Sequence, residues 1–157
     1  MRLGRCVGAL VLAAALLPGR APAQEVVHGA DSVFVSPTVK LAWVVRRGAT
    51  EADTRVVVRV IAADSYRFIR LDGVDPFTKD RKVFVARPLD RQADLAISRE
   101  KIADHPSTEF RFFQNQEDAA ADRPRLTVFY LGVPDTTPEF AGEREAEAYL
   151  DHALQPR

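Results

Sequence analysis

The sequence predicts an all-β chain: two antiparallel layers packed face to face, closed by a short C-terminal helix. Three observations carry that expectation. Apolar residues recur at every second position through most of the chain after residue 30, turn-forming residues interrupt the pattern at close intervals, and the period lengthens to that of a helix only after residue 140.

The first 23 residues stand apart. Arg2 and Arg5 make a positive start, residues 6–17 carry no charge, and Pro18-Gly19 and Ala21-Pro22-Ala23 follow. That order reads as a secretory signal peptide cleaved after Ala23. The apolar run falls short of the roughly 20 residues a spanning helix needs, and no second run follows, so no membrane span is expected after cleavage. The expected mature product starts at Gln24 and is exported, to the periplasm or the extracellular space. Its 134 residues (157 less 23) suit one domain. The divisions expected are 1–23 signal peptide, 24–135 β domain and 136–157 helical tail.

Cys6 is the only cysteine and leaves with the signal, so the mature chain holds neither an internal disulfide nor a thiolate. Nineteen basic residues remain against 22 acidic. So small a net charge implies neither a nucleic-acid partner nor an anionic membrane surface.

Residues 32–35 read as an edge strand before Pro37. In the next strand Val39, Leu41, Trp43 and Val45 alternate with Lys40, Ala42, Val44 and Arg46, and in the one after it Val56, Val58, Val60 and Ala62 alternate with Arg55, Val57, Arg59 and Ile61. Successive side chains of a strand face opposite ways, so each segment offers one apolar face to a core. Residues 66–71 follow Asp64-Ser65, a connection short enough for a hairpin. Strands at 83–86, 94–98, 108–114 and 126–132 complete the set of seven or eight. The last is apolar on both sides, which places it centrally. Residues 73–81 form a loop started by Asp75-Pro76, and the acidic, alanine-rich stretch 116–124 reads as another. Thr136-Thr137-Pro138-Glu139 has the form of a helix start, and Ala146, Tyr149, Leu150, Ala153 and Leu154 recur at helical spacing, predicting a helix over about 143–154.

Strand order and length resemble an immunoglobulin-like or fibronectin-like sandwich, with Trp43 in its core. The chain lacks both cysteines of the inter-sheet bridge and the corner tyrosine of antibody-type domains. A closed eight-stranded barrel is the alternative.

Each candidate site has a plain structural reading beside it. Ser98-Arg99-Glu100-Lys101 matches S-x-x-K, but the companion motifs S-D-N and K-T-G are absent and the match is short. Asp72, Asp75, Thr78 and Asp80 supply oxygen ligands for calcium, yet their spacing is not that of an EF-hand loop. His28, His105 and His152 are too scattered to define a zinc site. The reading therefore assigns no catalytic residue, metal or cofactor. Lys40, Arg46, Arg55 and Arg59 share the polar faces of two strands that would merge into a basic, anion-binding patch on pairing, extended by Arg70; a solvated sheet face is the alternative. Phe77, a large aromatic in a charged loop, is the single residue most suited to contact. The function expected is an exported, non-catalytic module binding a protein or glycan partner. The alternatives are a small exported hydrolase, or a barrel that carries an apolar ligand.

Overall fold

A computed structural model describes residues 24–134 and 136–155. The expected signal peptide lies outside the described residues. In chain order the elements are β1 (Glu25–Gly29), β2 (Val33–Val35), β3 (Val39–Arg46), a single 3-10 turn (Glu51–Asp53), β4 (Arg55–Ala62), β5 (Phe68–Val74), β6 (Arg81–Pro88), β7 (Gln92–Ser98), α1 (Arg99–Ala103), β8 (Ser107–Phe113), α2 (Gln116–Ala120), β9 (Leu126–Tyr130), β10 (Glu139–Phe140) and α3 (Glu143–Ala153). None of the described helices is long and apolar enough to cross a membrane.

The strands form two five-stranded sheets. One runs β1-β9-β8-β5-β6; the other runs β10-β3-β4-β7, with β2 also paired to β3. Pairing is antiparallel except for β1 on β9 and β10 on β3. The sheets do not join into a barrel: β6 and β7 each end a sheet, so the barrel alternative is set aside. Nor do β4 and β5 make a hairpin across Asp64-Ser65. Both edges of β4 are already taken, by β3 and β7, so the chain crosses to the other sheet. Tyr66 anchors that crossing, buried with its ring centroid 5.5 Å from that of Phe112.

The core is filled from both layers. Leu41, Trp43, Val58, Val60 and Leu95 meet Ile69, Leu71, Phe110, Phe112, Val128 and Tyr130. Trp43 lies edge-on to Phe110 and Tyr130, with centroids 5.4 and 5.1 Å apart, a geometry that suits the ring quadrupoles. Trp43 Nε1, Thr108 Oγ1 and Tyr130 Oη are buried without a hydrogen-bond partner. Burial pushes the Tyr130 hydroxyl up to about 12.

The other faces of β3 and β4 are apolar too, and α3 covers them. Ala42, Val44 and Val57 pack against Ala146, Leu150 and Leu154 in a second cluster. The helix starts at Glu143, after its cap Gly142, as its spacing predicts; the segment from Thr136 does not open it, because Glu139–Phe140 pairs with the end of β3 first. Thr136 instead accepts the Ser32 N–H on its hydroxyl at 3.3 Å. Two further short helices, α1 and α2, stand where strand-to-turn and loop segments were expected.

Candidate functional site: an apolar cleft at one end of the sandwich

Val45, one residue before the end of β3, pairs across with Val56, the second residue of β4. Above them β7 gives way to α1, whose Ile102 turns inward and is 1% exposed. Pro106 follows His105 and disfavours further helix there. Beyond β9, Gly132 takes a φ of +74°, a conformation that favours glycine, and the chain turns back through Val133 and Pro134. These segments enclose a cleft of about 500 Å³ lined by Val45, Val56, Ile102, His105, Val133 and Pro134, among others.

Its rim is charged. Arg99 reaches Glu51 at 3.2 Å and Glu139 at 3.3 Å, and Arg47 also meets Glu139 at 3.3 Å. These are solvated pairs, each contributing little to stability. An apolar floor inside a polar rim is the anatomy of a recognition surface.

The loop 75–80 stands on the same end, since Val74 pairs with Ser107 at the start of β8. His105 joins loop to cleft. Its ring lies edge-on to Phe84 at 5.1 Å, and a Cβ on Gly73 would fall 2.8 Å from the imidazole Cγ, so β5 passes tightly beneath this wall. The loop is held from within. Asp75 accepts the backbone N–H groups of Phe77 at 2.9 Å and Thr78 at 3.3 Å, and these bonds hold its carboxyl below the usual range. Phe77 projects from this turn 89% exposed, and Leu131, beside Gly132, is 73% exposed.

The four basic candidates do not form one open face. Arg59 is enclosed: its side chain is 6% exposed, it grips Asp94 with two bonds of 3.0 Å, and it donates to Glu147 at 2.6 Å and to Asp151 on α3. Those carboxylates raise its already high pKa further, against the opposing effect of burial. Arg46 and Arg55 are cross-strand partners near the cleft end; Arg46 meets Glu143 at 3.4 Å and Arg55 donates to the Ala52 carbonyl at 2.6 Å. Lys40 lies toward the opposite end, across from Ile61. Arg70 belongs to the other sheet.

There Arg111, Asp122, Arg70, Asp72, Arg81 and Glu109 form a chain of alternating charge, with contacts of 2.6 to 2.9 Å. Asp72 is fully buried between Arg70 and Arg81, so two guanidinium groups occupy the oxygens that a calcium ion would need. No cluster of three acidic, histidine or cysteine side chains suited to a metal occurs among the described residues. His28 stands edge-on to Phe129 at 5.5 Å and His152 is exposed on α3, both away from His105. Ser98 and Lys101 share no hydrogen bond among the described residues. No family model, curated protein or solved structure matches this chain.

Proposed function

We propose that the mature chain is an exported, non-catalytic β-sandwich module that binds a protein partner through the end bearing the cleft and Phe77. The observation carrying this reading is the aliphatic cleft at the same end as a projecting aromatic, on a sandwich whose interior is already filled. The cleft offers an inserted side chain a floor of Val45, Val56, Ile102 and Val133, and Phe77 and Leu131 add exposed apolar contacts at the same end of the sandwich. Its floor holds no six-membered aromatic face on which a sugar could stack, which favours protein over glycan. The packed core favours binding at the surface over carriage of an internal ligand. The rim carboxylates of Glu51 and Glu139 both pair with Arg99, an arrangement that favours recognition over hydrolysis. Arg46 and Arg55 sit near enough to this end to act as polar contacts at its edge.

The immunoglobulin-like assignment belongs to the same proposal. Reading β3 to β9 as strands A, B, C, C′, E, F and G gives the layers A-B-E and G-F-C-C′, as such domains have, without strand D. Export rests on the composition of residues 1–23.

The test is affinity capture from an envelope extract with the mature protein as bait, beside a Phe77→Ala/Val133→Asp variant checked for an unchanged melt. The expected result is a partner retained by the native protein and reduced about tenfold or more in the variant. Equal capture by both would overturn the reading.

A further inference from the structure

The two sheets part company at β6 and β7, and this flank is built differently from the rest of the surface. β6 pairs with β5 along one side; its other edge has no strand beside it among the described residues. It is eight residues long, and every one is exposed or half-buried. A strand edge of this kind presents unpaired backbone donors and acceptors to any extended chain that can lie beside it.

Its side chains select what that chain can be. Arg81-Lys82-Val83-Phe84-Val85-Ala86-Arg87-Pro88 contains no acid. Arg81 is neutralised by Asp72 and Glu109. Lys82 and Arg87, with Lys79 in the preceding loop, form no ion pair among the described residues. Arg87 gives one N–H to the Asp94 carbonyl at 3.2 Å, which fixes its position across the flank without balancing its charge. By contrast Arg59, Arg70, Arg81 and Arg111 are each matched by carboxylates. Between the unbalanced cations, Val83 is 50% exposed.

A second copy is a poor match, since each edge brings unpaired cations and no acid to the other. Antiparallel pairing of β6 with itself about Phe84 and Val85 sets Lys82 opposite Arg87 twice, and like charges directly opposite are unfavourable. Pro88 has no N–H to offer, so pairing is confined to residues 81–87. We infer that β6 accepts an extended acidic segment of another protein as an added strand, with backbone bonds supplying affinity and Lys79, Lys82 and Arg87 receiving its carboxylates. This surface is separate from the cleft and does not depend on its function.

The probe is a capped seven-residue peptide of alternating glutamate and valine, titrated into isotopically labelled mature protein at low salt, with amide exchange as the readout. Exchange of the outward-facing amides of residues 82–87 is expected to slow about tenfold at saturation, and affinity to fall about tenfold in Lys82→Glu/Arg87→Glu with the melt unchanged. Four results would overturn the inference. They are no binding, equal binding of a capped peptide of the same length with lysine in place of glutamate, binding that perturbs only Ile102 and Val133 in the cleft, and full retention of binding in the charge-reversed variant.

Discussion

Replacing Arg59 by glutamine tests how α3 is fastened to the sandwich. The guanidinium is nearly inaccessible and makes four hydrogen bonds to three carboxylates, two of them on the helix. A buried pair broken on one side costs about 3–5 kcal/mol, and an exposed pair about 0–1. Here the cation is buried, while Asp94, Glu147 and Asp151 are 35, 48 and 66% exposed, so water reclaims much of their solvation. The loss therefore falls between the two limits, at about 2–3 kcal/mol, or roughly 8–12 °C in Tm for a domain of this size. The three carboxylates left facing one another also repel, so added salt recovers part of the loss. Arg59→Lys restores less than the native residue, since one ammonium cannot match the fork geometry. Urea unfolding at low and high salt measures all of this. A loss below about 0.5 kcal/mol, or one insensitive to salt, would refute the assignment of Arg59 as the fastening of the helix.

Leu150→Ala, deep in the second apolar cluster, is expected to cost about 2–4 kcal/mol in the same assay. Tyr130→Phe removes a buried hydroxyl that has no partner, so stability should hold or rise by about 1 kcal/mol, and thermal melts decide it. Burial would raise the Asp122 carboxyl, but Arg111 and Arg70 outweigh it and hold it below its ordinary 3.8; Asp75 is lowered by the N–H groups of Phe77 and Thr78. Both groups bind protons more weakly when folded. Their stabilisation is thus complete above the unfolded value and lost as pH falls from about 4 through the lowered values. Urea midpoints should be flat from about pH 5 to 7 and drop below about pH 4, with a shallower drop in Asp122→Asn.

The strands that carry the fold were legible because alternation is a local property. Val39 to Arg46 and Arg55 to Ala62 were bounded correctly from their own residues, and the helix from Glu143 needed only its own spacing. Which edges pair is a global property. The crossing at Asp64-Ser65 depends on which strands already flank β4, and the short parallel strands β1 and β10 depend on partners about 95 to 100 residues away. The second apolar face was visible in Val44, Val57 and Ile61, yet its consequence was not: a helix over that face turns Arg59 from a surface cation into an enclosed one. The cleft was hidden for a similar reason. Val45, Val56, Ile102 and Val133 come from four separate segments, and only the apolar run Leu131-Gly132-Val133-Pro134 in a loop hinted that something there avoids water. The exposure of Phe77 was readable because nothing near it in the sequence could bury it.

The most direct test of binding through the cleft end is site-specific photo-crosslinking. A photoreactive side chain is placed at Val133 or Phe77 and, as control, at Val35, which is 61% exposed near the opposite end. Irradiated in an envelope extract, the Val133 and Phe77 proteins should yield the same adduct and the Val35 protein none. A shared adduct at all three positions, or one at Val35 alone, would contradict it.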